Sequence, residues 1–463
     1  MTAWRPEILS GPQPVYARIV EALERDVAEG KLAEGARLPP HRDLAFRLGV
    51  GVGTVTRAYV EAERRGLIVG HVGRGSFIRS REAANPFAEP AHGGLIDLAR
   101  NMPPAAASAR EIGEALARLR SRPDLEDCAR YGPAEGLERV RRAGAAWLLR
   151  RHGLERGAQD LIQCGGAQQA VALAFGAVCR PGDTVLCESS TFLGIKLAAE
   201  FLSCALHGVA MDEEGLSPDA LDRAAARTSA RAVIVQPTLH NPTTRTMPLS
   251  RRLDLIEVAR RRDLTIIEDT AYEAYADPTT RPASLADLAP ERTVYIFTLS
   301  KALATGLRLG FIVPPDPGRR GGVLRGVRAL GHSPPGLEGL VFAHWVEDGA
   351  ADAIADRIVV EAGARLDLAR RILGSSLEAP GSPHSPHVWL PMPALQAERL
   401  ASRAFRHGVE VTPPDAPAAP PCEVSGVRLC LGAAPDRRQL EQALTTVASL
   451  LGDGAAIDDR AIV

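Results

Sequence analysis

Three lysines, Lys31, Lys196 and Lys301, stand among the 55 basic residues of this chain. A composition that writes arginine almost everywhere keeps lysine where guanidinium cannot substitute. One such task belongs to an amine that loses its proton and attacks a carbonyl carbon, because lysine shifts its pKa readily on burial and arginine does not. Lys301 follows Val294-Tyr295-Ile296-Phe297, a β-branched and aromatic run that reads as a buried strand. Thr298 and Ser300 precede the lysine, and Arg308 comes seven residues after it. The grouping suits a Schiff-base lysine, with Thr298 and Arg308 offering a hydroxyl and a guanidinium to a phosphate. A surface lysine after an edge strand is the plainer alternative, and this stretch alone leaves both open.

Further residues with usable chemistry close other apolar runs. Gly165-Gly166-Ala167-Gln168 joins the strand-like Leu161–Cys164 run to an apolar helix expected at 169–178. Small residues there let backbone N–H groups close on a phosphate, helped by the helix dipole, or simply make a tight turn. Phe192 follows a strand at 184–187 and can stack on a flat ring or fill a core. Asn241, in His240-Asn241-Pro242 after a strand at 232–235, can donate to a phenolate. Asp269 ends a strand at 264–267, with Tyr272 three residues on. A carboxylate so placed can hold a pyridine nitrogen protonated, making the ring an electron sink, or it can cap a helix. Arg428, on a strand at 427–430, reads by itself as a surface arginine.

The elements that must position these residues alternate strand and helix from Leu95 onward, including a helix at 249–262. Such alternation predicts a mostly parallel sheet covered on both faces, with ligands bound beyond the carboxyl ends of its strands. The C-terminal third gives a smaller α/β unit: a strand at 387–390, a helix near 396–407, and strands at 409–411 and 427–430.

Taken in order, Gly-Ala-Gln, Phe, Asn-Pro, Asp-x-x-Tyr, Ser-Lys and x-Gly-Leu-Arg-x-Gly-Phe resemble the fold-type I pyridoxal-phosphate aminotransferases over about residues 95–450. The resemblance implies that Lys301 forms the internal aldimine with pyridoxal 5'-phosphate and that Asp269 pairs with the ring nitrogen. Asn241 and Tyr272 would bind the ring oxygen, and Phe192 would cover the ring face. Gly166, Ala167, Gln168, Thr298 and Arg308 would hold the phosphate. Tyr131, in YGPAEGLERVRR, would reach the phosphate of a neighbouring subunit, which implies a homodimer. Arg428 would grip an amino acid's carboxylate, a bidentate task that suits its fork. Two departures touch the pocket walls: Thr244 stands where a glycine often follows Asn-Pro-Thr, and Ser189-Ser190 where a proline and often a tyrosine precede Thr-Phe.

Ahead of this lie three helices, at 15–30, 41–48 and 54–65, and a hairpin with Gly73-Arg74-Gly75 at its tip. That is the order of a winged helix-turn-helix, whose third helix enters the major groove while phosphate contacts fix its register. Thr54, Thr56, Arg57 and Arg64 are the outward candidates on helix three. His41 and Arg42 open helix two, and Arg74 tips the wing. The stretches GxLxxGxRLPPxRDLAxxLGV, TVTRAYVEAERRGL and GRGSFI resemble the GntR-type domain, with Gly51 and Gly53 where many relatives carry a polar or basic residue. Residues 1–80 hold 12 Lys+Arg against 9 Asp+Glu and the remainder 43 against 47, a sign that suits an N-terminal module meeting an anion.

At 463 residues the chain exceeds one ordinary core. The expected organisation is multidomain. An α+β winged helix at 1–80 and a linker at 81–94 precede an aminotransferase-like α/β domain at 95–451. A smaller α/β subdomain at about 380–451 and a loose tail at 452–463 complete it. No run approaches 18 apolar residues, so a cytoplasmic protein is expected. Seven scattered cysteines without C-x-x-C point to reduced thiols rather than disulfides or a metal. The layout resembles the MocR-type branch of GntR regulators. It implies a regulator that binds operator DNA and senses an amine, an amino acid or pyridoxal phosphate itself through Lys301. A working aminotransferase with an accessory DNA-binding module, and a winged helix on an inert dimerisation domain, are the alternatives.

Overall fold

Ile19, Val20 and Leu23 line one face of helix α1 (Val15–Ala28), and all three are buried. They meet Leu44 and Ala45 of α2 (His41–Leu48) and Val55, Ala58, Tyr59 and Ala62 of α3 (Val52–Arg64) in one core. Ile68 of strand β1 (Ile68–His71) and Ile78 of its antiparallel partner β2 (Gly75–Ile78) close that core. Gly49 ends α2 in the left-handed region, at φ 66°, a conformation that favours glycine. The computed structural model describes residues 4, 6, 13–32, 36–64, 67–71, 75–78 and 95–452. It divides into two units at the 93/94 junction. The expected linker at 81–94, Arg74, and the tail beyond Gly452 lie outside the described residues. Helix α3 begins at Val52, two residues before the expected start, so Gly53 is helical rather than part of the turn.

The second unit contains β3 (Ile96–Leu98), β4 (Ile162–Cys164), β5 (Thr184–Glu188), β6 (Ala205–Val209), β7 (Met211–Asp212), β8 (Gly215–Leu216), β9 (Ala232–Val235) and β10 (Thr265–Asp269). Then come β11 (Thr293–Thr298), β12 (Gly310–Val313), β13 (His387–Pro391), β14 (Val409–Val411) and β15 (Gly426–Cys430). Seven of these form one sheet in the order β4-β12-β11-β10-β9-β5-β6. Only β12 runs antiparallel to its neighbours there. Every residue of β9, β10 and β11 is buried, which explains their unbroken apolar runs. The helices Ala167–Val178 and Leu249–Arg261 belong to cores on opposite faces.

A separate core gathers β13, β15 and the helices Ala394–Arg406 and Arg437–Gly452 with β3, which pairs in parallel with β14. Leu366, Ala369 and Leu373 of the long helix Ala350–Leu373 join them. The small subdomain therefore begins earlier in the chain than residue 380 and also takes in residues 96–98. Among the described residues no helix is long and apolar enough to cross a membrane.

Burial sets an acid limit on this fold. His152, His240 and His387 are held neutral by burial, each pushed down to about 3. Burial pushes Glu188 up to about 8, Glu268 to about 7 and Asp269 to about 6. The carboxyls bind protons in the folded chain that the unfolded chain lacks, so stability rises as pH falls through their folded values. The histidines do the reverse below about pH 6.5. The urea midpoint of the cofactor-free protein is expected to rise from pH 8 to about 6.5. It should hold nearly level to about 4.5, where the unfolded carboxylates also protonate, and then drop steeply towards 3. A midpoint falling steadily from pH 8 downward would contradict this balance.

Candidate functional site

The carboxyl ends of β9, β10 and β11 bring four expected residues, Lys301, Asp269, Tyr272 and Asn241, together. Lys301 follows β11, and its Nζ donates to the carbonyl of Asn101. Burial, with Arg428 and Arg308 adding repulsion, lowers its ammonium to about 8. Asp269 ends β10 close enough to Lys301 for the two charges to stabilise each other. Its Oδ2 accepts from Gln236 Nε2 at 2.7 Å, and its Oδ1 is buried with no partner. Tyr272 Oη accepts from Asn101 Nδ2 at 2.9 Å and from Asn241 Nδ2 at 3.4 Å. Burial raises its phenol well above the ordinary value. Asn241 Oδ1 in turn accepts from Arg428 at 2.6 Å.

A second group lies at the N-terminus of the helix Ala167–Val178. Gly166, the residue before it, has φ 85°. A Cβ there would come within 3.0 Å of Arg308 Nη2, so the guanidinium lies directly against this turn. Arg308 itself has φ 46°, and its contacts are long: Ser300 Oγ at 3.3 Å, the Thr305 carbonyl at 3.4 Å and the Gly165 carbonyl at 3.5 Å. Thr298 Oγ1 lies 3.1 Å from Ser300 Oγ. Gln168 donates to the Gly194 carbonyl at 2.8 Å, beside the Phe192 ring. Weakly engaged donors around a positive helix end make an anion cradle.

Pyridoxal 5'-phosphate fits this donor set. The cradle suits its phosphate, the orphaned Asp269 Oδ1 suits a pyridinium N–H, and Lys301 supplies an amine of lowered basicity.

Comparison with known proteins agrees. The model of aminotransferase class I and II matches residues 94–447, and that of the bacterial regulatory proteins of the gntR family matches residues 15–78. An uncharacterized HTH-type transcriptional regulator of Bacillus subtilis, YdeF, is 30% identical over 68% of this chain and 67% of its own length. This chain belongs to the class I and II aminotransferases, in the MocR-type arrangement with a GntR domain. The HTH-type regulator TauR of Rhodobacter capsulatus is 26% identical over 87% of this chain and 89% of its own. The HTH-type pyridoxine biosynthesis transcriptional regulator PdxR of Corynebacterium glutamicum is 26% identical over 73% and 74%. Among solved structures, the α-aminoadipate aminotransferase LysN of Thermus thermophilus, complexed with N-(5'-phosphopyridoxyl)-L-leucine, matches with TM-score 0.68 and 25% identity. That match covers 78% of this chain and 92% of LysN.

Arg428 is more committed in this MocR-type chain than the sequence suggested. Its Nη1 holds Asn241, its Nη2 donates to the Ala99 carbonyl at 2.7 Å and to Thr412 Oγ1 at 2.8 Å, and its Nε also reaches Thr412. The carbonyls of Ala99 and Asn101 therefore cap Arg428 and Lys301 from one turn, which Asp97 Oδ1 ties by accepting from the N–H groups of Ala99 and Arg100. Tyr131 is not in this pocket: it is 84% exposed and lies against His332. Thr244 adopts φ 64°, the left-handed conformation for which a glycine would serve, and its N–H is tied to the His240 carbonyl at 2.6 Å. Ser189 and Ser190 run beside residues 417–419, with Ala419 N–H donating to the Ser189 carbonyl at 2.8 Å.

Five pocket residues were missed by sequence reasoning: Asn101, Gln236, Ser300, His387 and Cys430. Ser300 had a signal in its place beside Lys301. His387 lies 5.0 Å from the Tyr272 ring and 3.2 Å from Asn101 Nδ2, and Cys430 contacts the Ala99 carbonyl. None of these contacts is local in sequence.

In the GntR module, Arg42, Thr56 and Arg57 are exposed, whereas Thr54 and His41 are half-buried. His41 Nδ1 is hydrogen-bonded to Thr56 Oγ1 at 3.0 Å, linking α2 to α3. The Arg57 guanidinium stacks 4.7 Å over the Tyr16 ring. Arg64 ends α3, its side chain outside the described set, as is Arg74.

Proposed function

We propose that this chain is a transcription regulator that binds operator DNA through its GntR module and responds to an amine or amino acid, or to pyridoxal 5'-phosphate itself, at Lys301. The observation that carries the reading is the pairing of a half-buried, lowered-pKa lysine with a buried, half-satisfied aspartate in a chain that also carries a GntR module. When bound, the cofactor supplies an aldehyde that condenses with a primary amine and a ring that withdraws electrons.

The residues divide the work. Arg308, Thr298, Gly166, Ala167 and Gln168 hold the phosphate; Asp269 keeps the ring nitrogen protonated; Asn241 and Tyr272 hold the ring oxygen; Phe192 covers the ring. Tyr131, facing outward, is assigned to the phosphate of a second copy, making the working unit a homodimer. An amino-acid effector needs Arg428 for its carboxylate and must take the place of Lys301 with its amine. Those two positions are capped by Ala99 and Asn101, so the effector displaces residues 99–101. The DNA-binding module responds to that displacement by binding operator differently in the two arrangements. A protein that meets DNA in this way works in the cytoplasm.

The test is a gel-shift titration on the intergenic DNA beside its own coding sequence, with a panel of amines and amino acids. Operator affinity that changes with one of them, without turnover, supports the sensor. Sustained turnover of an amino-acid and keto-acid pair with affinity unchanged supports the second reading, an aminotransferase with an accessory module, which the lowered pKa of Lys301 also suits as a base. In the same assay Arg57→Ala is expected to weaken operator binding by about 1–3 kcal/mol. Unchanged affinity across a salt titration would reassign helix α3. A melting curve separates this from the cation–π contact with Tyr16, worth about 0.5–1 kcal/mol.

A further inference from the structure

Gln236 lies just past the carboxyl end of β9, the strand between β5 and β10, and is 3% exposed. Its backbone N–H and the two ends of its side-chain amide each have one buried task. Its backbone N–H donates to Glu188 Oε1 at 2.8 Å, towards β5. Its side-chain oxygen faces the N–H of Asn241 at 3.4 Å. That contact fixes the orientation of the amide, so the NH₂ group must point the other way, where it donates to Asp269 Oδ2 at 2.7 Å. The result for Asp269 is an asymmetric carboxylate: one oxygen held by a neutral donor, the other buried and left for a ligand. Lys301 and the backbone N–H of Ala271 also favour the charged form of Asp269; Asp269 in turn helps to raise the Glu188 carboxyl, and the phenol of Tyr272 lies near.

We propose that Gln236 is a positioning residue for Asp269: it stops the carboxylate from rotating and keeps it ionised, so that Oδ1 presents a fixed negative charge to the ring nitrogen of pyridoxal 5'-phosphate. The inference rests on the cofactor reading above. The physical reasoning is direct. A donor to a carboxylate stabilises the charged form, and an amide cannot itself take up or release a proton in the working pH range. Without the donor, burial is opposed only by Lys301 and the backbone N–H of Ala271, and the carboxyl becomes neutral more readily. Gln236 also ties Asn241, which holds the ring oxygen, so the two ends of the ring are set by one side chain.

The test measures pyridoxal 5'-phosphate binding to the full-length wild-type, Gln236→Leu and Gln236→Glu proteins by quenching of tryptophan fluorescence, at pH values from about 5.5 to about 8.5, roughly 1.5 units either side of neutrality. Gln236→Leu removes the donor and is expected to weaken binding about tenfold at neutral pH. It should also move the acid limb of the affinity profile up by about one pH unit, because Asp269 then protonates more readily. Gln236→Glu keeps the shape but sets a second carboxyl against Asp269, and a larger shift in the same direction is expected. If wild-type protein binds no pyridoxal 5'-phosphate, the cofactor reading fails, and this inference fails with it. If wild type binds and both variants keep its acid limb, even with a lower melting temperature, Gln236 is merely structural and this inference alone is overturned.

Discussion

Replacing Lys301 by alanine is expected to remove all borohydride-fixed cofactor from the chain while leaving the protein folded and able to bind operator. Borohydride reduction followed by peptide mass analysis reads the first, and gel shift the second. The loss should be total because Lys31 and Lys196, the other lysines, are placed elsewhere: Lys31 pairs with Glu29 outside this unit, and Lys196 donates to the Ala416 carbonyl. The lysine at 301 suits the chemistry because its ammonium, lowered to about 8, leaves roughly a few hundredfold more neutral amine near pH 7 than an ordinary lysine. Adduct formation should therefore rise with pH and level off above about 8. The same lowering gives a stability signature. A lysine whose folded pKa is depressed costs stability below that value, and the cost fades as pH rises towards 10.5. The cofactor-free alanine variant should thus melt no lower than wild type at pH 7, and any advantage should shrink as the buffer becomes alkaline. An alanine variant that unfolds, or that still traps cofactor, removes Lys301 from its assigned place.

How much of this was legible in the sequence follows from what kind of contact each residue makes. Asp269 ends an apolar run and Lys301 and Asn241 closely follow one, and a parallel sheet collects strand ends at one edge whatever else the chain does. Gly166 and Arg308 were legible for the same reason, as a helix entry and a return to β12. The rest was hidden by distance along the chain. Strand β3 has three residues, too short for a period, and it owes its existence to pairing with β14 more than 300 positions away. Asn101 reads as an ordinary loop residue until that pairing carries it over Lys301. Gln236 sits one residue past an apolar strand, and only the order of the sheet, β10 on one side and β5 on the other, gives its amide a purpose. The shift of helix α3 to Val52 has a local cause: Gly51 and Gly53 obscure a helix start that no capping side chain marks.

The turn formed by residues 99–101 can be released without touching Lys301 or Arg428. Gly432, two residues beyond β15, lies so close to the loop after that turn that a Cβ would fall 1.7 Å from the Met102 carbonyl oxygen and 3.1 Å from Pro104 N. Both are backbone atoms, so no side chain can swing aside, and Gly432→Ala must push the loop away from the small subdomain. Overpacking of this kind costs about 1–3 kcal/mol. It falls on the docked arrangement of residues 99–104 and not on the displaced one, so the balance between them moves by about tenfold to a hundredfold. Amide exchange through residues 99–104 should accelerate by that factor while the central sheet keeps its protection. Gly331→Ala, at a glycine with nothing within 4 Å of the added Cβ, should leave exchange unchanged. If residues 99–101 carry the effector's signal, Gly432→Ala should also shift operator affinity towards the effector-bound value with no effector present, and adding the effector should change it little further. Faster exchange with operator affinity and effector response both as in wild type would mean that the turn merely covers the pocket, and that the signal leaves by another route.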